Sequence, residues 1–425
     1  MNKKDRLLRK ARQTKKTDDW NKYKQARNTC NNALRTAKQK FHQDLLTKSK
    51  NTPKAFWKSI KSLFPSKNDN AKIPAEPEIK GVHDVTEQSN AETFCLFFSN
   101  VAKNLKCISN PLRNFTWRTP AMSKKITTKR FKFKYVSKLY VEKQLRTMKR
   151  NKATGVDDIS TNLLKDSASV ISKPITHIVN LSLSTGVVPD EWKVARITPI
   201  HKSGTRSKAD NYRPISILPA ISKVLEKAVQ TQLMDYLEVN KLLSDTQFGY
   251  RRKRSTELAT TLFTDRIRAG VDKGCLTGAV FIDLSKAFDT IGHSSLIQRL
   301  RDYGVRENEL EWFTNYLFSR FQYVSYSNEN SKKYPILSGV PQGSILGPIM
   351  FLVFFDDFDQ ILKNSSVIKF ADDTVIYVSD KNLESIERKL NEDLVRIHEY
   401  FKENELIINL KNQKQRLCFL VPVED

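Results

Sequence analysis

Two adjacent acids set between strand-forming runs constrain this chain more than any other feature. Val367-Ile368-Lys369 leads into Phe370-Ala371-Asp372-Asp373, and Thr374-Val375-Ile376-Tyr377-Val378 follows. β-Branched and aromatic residues favour strands, so the stretch reads as a hairpin with carboxylates at its turn. Like charges this close repel, which makes the pair costly unless a cation neutralises it. The plain alternative is an ordinary Asp-Asp turn. A second acid upstream tips the balance. Thr277-Gly278-Ala279-Val280-Phe281-Ile282 is an apolar run of strand composition that ends in Asp283, and a helical segment, Ser294 to Leu300, soon follows. Carboxylates from a strand end and a hairpin make a hard-oxygen site suited to Mg²⁺. Two such ions about 3.5–4 Å apart stabilise both the attacking and the leaving oxygen in phosphoryl transfer.

Between the two acid positions lies a Gly/Pro-punctuated loop, Ser338-Gly339-Val340-Pro341-Gln342-Gly343-Ser344, carrying one amide side chain. The order of acid strand, Gly-Pro-Gln-Gly loop and acid hairpin resembles motifs A, B and C of reverse transcriptases. The strings Phe281-Ile282-Asp283 through Lys286-Ala287-Phe288-Asp289, Gly339 to Ser344 and Phe370 to Asp373 resemble those of the non-LTR (LINE-like) retrotransposon polymerases, in particular the jockey-like branch. Further elements point the same way. Asn151-Lys152-Ala153-Thr154-Gly155-Val156-Asp157 looks like that family's entry to the fingers, and Asn211-Tyr212-Arg213-Pro214-Ile215-Ser216 and Gln247-Phe248-Gly249-Tyr250-Arg251 resemble two later signatures.

The resemblance implies an α+β fold, a right-hand polymerase palm and fingers (the reverse transcriptase fold) with an N-terminal helical extension. It divides the chain into a basic helical extension (1–115), a connector and fingers (116–274) and a palm (275–425), with endonuclease and thumb expected to be missing. It implies RNA-directed DNA synthesis from dNTPs on an RNA template and a DNA primer or target, with two Mg²⁺ ions, Mn²⁺ being the alternative. Asp283 and Asp372 would bridge the metals, and Asp373 would support them. Lys202 and Arg213 would neutralise the triphosphate, and Phe288 would lie under the sugar to exclude a 2′-hydroxyl, against a plain reading as core packing. Gln342, beside Gly343, would position the nascent base pair. Arg251, within the run Arg251-Arg252-Lys253-Arg254, is expected on the template backbone.

Charge supports a polyanionic partner. The 425 residues carry a formal net charge of +27, and residues 1–60 hold 18 Lys/Arg against 4 Asp/Glu. Within that segment Trp20, Tyr23, Cys30, Ala33, Leu34, Ala37, Phe41 and Leu45 form one apolar stripe at helical spacing. Thr52 and Pro53 should cap and open a second helix. Met1 to Thr17 lacks the apolar core of a secretory signal, and the most apolar run, Ile345 to Phe355, is too short to span a bilayer. It fits a buried helix, and the expected location is nucleus and cytoplasm, with no membrane partner. The five cysteines make no C-x-x-C pair, which supports neither a zinc knuckle nor a disulfide framework.

Elsewhere helices are expected over Thr86–Leu105, Ser167–Ser184 with a stop at Gly186, Ala220–Val239 and Leu383–Glu403, and strands over Trp192–Ile200, Leu406–Leu410 and Leu417–Val421. One departure from the family stands near the end. Its N-x-x-K-T string appears as Asn409 followed by Asn412 and Gln413, so the lysine is missing unless Lys411 or Lys414 replaces it. An inactive or domesticated nucleic-acid-binding remnant of such an element is therefore the alternative function.

Overall fold

At the N-terminus two helices, α1 (Asn2–Thr14) and α2 (Thr17–Ser49), pack on each other. Asp18 and Asp19 in the first turn of α2 suit the positive end of its dipole, and Asp19 also accepts from the Thr14 hydroxyl at 2.7 Å. This computed structural model describes residues 2–14, 16–49, 90–109, 127–327, 329–409 and 417–420. The helix expected after Pro53 lies outside the described residues. The chain divides into two compact units, residues 1–73 and 74–425.

In the second unit the order begins with α3 (Asn90–Ser109), α4 (Lys138–Thr147), α5 (Thr161–Asp166) and α6 (Ala168–Thr185), then β1 (Val194–His201), β2 (Tyr212–Ile217), α7 (Ser222–Val239) and α8 (Thr256–Val271). It continues with β3 (Leu276–Ile282), α9 (Ala287–Thr290), α10 (His293–Asp302), α11 (Glu307–Leu317), β4 (Phe321–Tyr326), β5 (Glu329–Asn330) and β6 (Tyr334–Pro335). Last come α12 (Gly347–Phe355), β7 (Ser366–Phe370), β8 (Asp373–Asp380), α13 (Leu383–Glu403) and β9 (Leu417–Leu420).

Two sheets result. The first has the order β2-β1-β4-β5, with β6 also on β4; β1 runs antiparallel to β2 and parallel to β4. Helix α3 packs on it. Phe94 is 1% exposed, with its ring centroid 4.8 Å from Tyr212 and 5.2 Å from Tyr326. The sequence reading grouped this helix with the basic extension, but its apolar face is buried here, within the second unit. Strands β4 to β6 likewise come from the stretch assigned to the palm, yet they complete the sheet begun by β1 and β2.

The second sheet is antiparallel, in the order β7-β8-β3-β9. Behind it lies α13, with Ile386, Leu390, Ile397 and Phe401 buried on one stripe and Asn382 capping its first turn. Helix α12 is apolar all round and buried at every residue but Pro348, as befits a core helix. No helix among the described residues is long and apolar enough to cross a membrane. Gly186 ends α6 at φ 73, the left-handed stop its position suggested. Among the described residues 406–409 of the strand expected over Leu406–Leu410, no strand forms. There Ile408 makes only an isolated bridge to Leu284.

Candidate active site

The second sheet carries the acids to one end. In the β3–β8 ladder Ile282 faces Thr374, so Asp283 and Asp373 leave the paired strands side by side. In the β7–β8 hairpin Phe370 pairs with Asp373, which leaves Ala371 and Asp372 as a two-residue turn. Ala371 has φ 58 and Asp372 does not, the pattern of a II′ turn, where the first position usually demands glycine. Burial pushes the Asp372 carboxyl above its ordinary range, and the negative charges of Asp373 and Asp283 add to this. Its own amide and the Arg213 guanidinium oppose it. Asp283 is held from behind: Asn409 donates its side-chain amide to Oδ2 at 3.0 Å and its backbone N–H to the Asp283 carbonyl at 2.9 Å.

These donors are oxygen only and mutually repelling, which is chemistry a hard divalent cation relieves. Among the described residues no three acids, histidines or cysteines already stand together as a ligand cage. Reverse transcriptases as a family use divalent metal ions, and oxygen donors of this kind suit one.

The Gly-Pro-Gln-Gly loop is stapled on both sides. Gly339 donates to the Ile291 carbonyl at 2.8 Å, Val340 to Phe288 at 2.9 Å, and the Gln342 carbonyl accepts from Ser216 on β2 at 2.7 Å. Gly343, at φ 125, approaches β2 so closely that a Cβ would stand 2.6 Å from the Ser216 oxygen. The Gln342 side-chain amide donates to both oxygens of Asp289 at 2.7 and 2.8 Å. Burial pushes the Asp289 carboxyl up to about 6, against the pull of Gln342 and Lys286. Phe288 is half-buried and stacks on Phe351 of α12, with centroids 4.9 Å apart.

Lys202 and Arg213 both lie exposed on the β1–β2 hairpin, and Arg213 is the cation felt by Asp372. The basic run beyond α7 divides. Arg251 is not on the surface. Its guanidinium, 6% exposed, clasps both oxygens of Glu238 at 2.7 and 2.9 Å and donates to the Gln247 and Ser244 carbonyls. Arg251, for which a template contact is expected, is in this structure an internal strut. Arg252 pairs at the surface with Asp235, Lys253 is exposed, and Arg254 binds Asp245 while lying 5.0 Å from the Phe248 ring centroid.

Sequence reasoning missed three residues of this region. Asn409 was read only for the lysine that should follow it, and Asp289 only as the end of a string. Gln247 was read as part of a signature, but its side chain accepts from the backbone of the Ala371–Asp372 turn, as its 1% exposure allows. No local signal announces such a contact, because it joins segments 124 residues apart.

Comparison with known proteins agrees with this geometry. The family model for reverse transcriptase (RNA-dependent DNA polymerase) matches residues 200–418, and a model for the female sterile protein K10 C-terminal domain matches residues 1–53. A probable RNA-directed DNA polymerase from transposon BS of Drosophila melanogaster is 29% identical over 279 residues, 62% of this chain and 30% of that protein. The RNA-directed DNA polymerase from mobile element jockey of the same species is 31% identical over 237 residues, 54% of this chain and 25% of that protein. The chain thus spans under a third of the length of these curated relatives. With the acids of the first and third motifs at one end of one sheet, the loop motif between them in sequence and a family match over half its length, the chain belongs to the reverse transcriptases, of the non-LTR, LINE-like kind.

Proposed function

We propose that this chain joins deoxynucleotides to a primer 3′-hydroxyl on an RNA template. The observation that carries the proposal is geometric: the β3–β8 register sets Asp283 beside Asp373, and Asp372 stands half-buried in the adjoining hairpin turn. Asp283, Asp372 and Asp373 would hold two divalent cations, Mg²⁺ or Mn²⁺, which supply stabilisation of the attacking and leaving oxygens. Asn409 fixes the rotamer of Asp283 by its hydrogen bond to Oδ2. Arg213 and Lys202 balance the negative charge of the incoming triphosphate.

Phe288, braced by Phe351, presents its ring to the sugar and excludes a 2′-hydroxyl. Gln342 sets the floor of the nucleotide site through its grip on Asp289, and Gly343 lets that loop lie against β2. Residues 116–274 supply most of the fingers, to which β4 to β6 return, and the palm sheet begins at residue 275. The basic helices α1 and α2, and separately Arg252 and Lys253, contact RNA template and DNA primer through phosphates, contacts that weaken as salt rises. Arg254 belongs with them less fully, being engaged by Asp245. The chain would meet such templates in nucleus and cytoplasm.

Primer extension on an RNA template, with parent and Asp372→Asn proteins side by side, tests the proposal. Metal-dependent extension by the parent alone is expected. Equal extension by both would refute it, and salt-sensitive binding without extension by either would favour the inactive-remnant reading. In the same assay Phe288→Val should admit ribonucleotides, and unchanged sugar selectivity would make its ring a packing residue only.

A further inference from the structure

The turn that presents Asp372 is held by a residue outside the three motifs. Ala371 sits at φ 58, a region that a side chain with a Cβ occupies only at a cost. Such a conformation persists where its surroundings impose it. Here the segment 246–249 does so. Lys369 donates to the Thr246 carbonyl at 2.9 Å and Phe248 to the Lys369 carbonyl at 2.8 Å, so the segment runs beside β7 as an added edge. At its centre Gln247, 1% exposed, accepts with Oε1 from two backbone N–H groups, Gly249 and Ala371, each at 2.9 Å. Gly249 permits the approach. A Cβ there would stand 3.0 Å from the Phe370 carbonyl carbon and closer still to the Ala371 nitrogen.

The other end of the same side chain completes the argument. With Oε1 committed to two donors, Nε2 is turned into the protein, where it is buried and finds no acceptor among the described residues. A buried, unpaired amide donor is destabilising, and native structures hold few of them. Packing alone does not account for a glutamine here. Its oxygen does, because it is aimed at the amide that immediately precedes Asp372.

We propose that Gln247 is a positioning residue for nucleotidyl transfer, setting the Ala371 amide and through it the place of the Asp372 carboxylate. This rests on the polymerase reading of the hairpin. A shift of about 1 Å at a reacting group costs on the order of a hundredfold in rate, so loss of this hold should appear in turnover rather than in nucleotide affinity.

The test compares Gln247→Met, of similar length with no acceptor oxygen, and Gln247→Glu, which keeps one, in the full chain. Hydrogen exchange at the Ala371 amide and the kcat and KM for dNTP in primer extension are both measured. In Gln247→Met, exchange at Ala371 should quicken roughly tenfold or more, and kcat should fall between about ten- and a hundredfold with KM within about twofold. Gln247→Glu should restore the protection and most of the rate. Unchanged exchange at Ala371, or unchanged kcat in a folded Gln247→Met protein, overturns the proposal. So does a rate loss that Gln247→Glu fails to recover. Should Gln247→Met lose protection throughout the palm, Gln247→Asn replaces it, its oxygen one methylene short, and the same outcomes apply. A parent protein that extends no primer refutes the polymerase reading instead, while the exchange comparison still decides whether Gln247 holds the turn.

Discussion

Two acidic clusters lie within twenty residues of each other, and the protein treats them in opposite ways. In Phe355-Asp356-Asp357-Phe358-Asp359 every carboxylate is answered. Asp356 accepts from the Ser244 amide at 2.7 Å and from the Tyr303 hydroxyl. Asp357 accepts from the Tyr400 hydroxyl at 2.7 Å and pairs with Arg299, while Asp359 pairs with the fully enclosed Lys369 and accepts from Ser244 and Thr246. Burial alone would raise the Asp359 carboxyl, yet Lys369 and the two hydroxyls hold it below its ordinary range. In Phe370-Ala371-Asp372-Asp373 the balance reverses, and burial and like charge hold Asp372 above that range. The first cluster is internal structure. The second is left with negative charge to spare, which is the condition for drawing in cations and a triphosphate.

The largest effect should come from the second cluster. Asp372→Asn should cut primer extension by at least about a hundredfold, several kcal/mol of transition-state stabilisation, while circular dichroism shows the parent fold. Comparable extension by the variant would erase the distinction between the clusters. Next, Lys369→Met strands Asp359 without its cation, and urea unfolding should show a loss of about 3 kcal/mol or more. A loss under about 1 kcal/mol would mean that the hydroxyls alone satisfy Asp359. The smallest effect is one of pH. Because the folded-state pKa of Asp359 is lowered, its stabilisation is present above the ordinary carboxylate range and lost as pH falls through the folded value. Asp359→Asn should therefore flatten the acid limb of a stability–pH curve, and an unchanged limb would assign acid sensitivity elsewhere.

What could be read from the chain alone follows the same division between local and distant. The hairpin, β3, α13 and the Gly186 stop carry their signals in consecutive residues, through alternation, helical spacing and left-handed glycine, and all stand in the structure. The Gln247 contact and the answered acids of 356–359 depend on residues more than a hundred positions apart, for which no periodicity exists. Arg251 shows the limit most plainly. In a run of four basic residues nothing marks the one that turns inward to Glu238. The parallel pairing of β4 with β1 is likewise non-local, and nothing in the sequence near either strand announces it.

The claim that the hairpin acids are kept in mutual repulsion for a cation meets its most direct test in metal-free unfolding. With a chelator present at neutral pH, the raised folded-state pKa of Asp372 means that its ionised form weakens the folded protein. Asp372→Asn should then unfold at a higher urea midpoint than the parent, and added Mg²⁺ should narrow the gap by stabilising the parent alone. A variant less stable than the parent in chelator, or one that gains as much from Mg²⁺, would contradict the account.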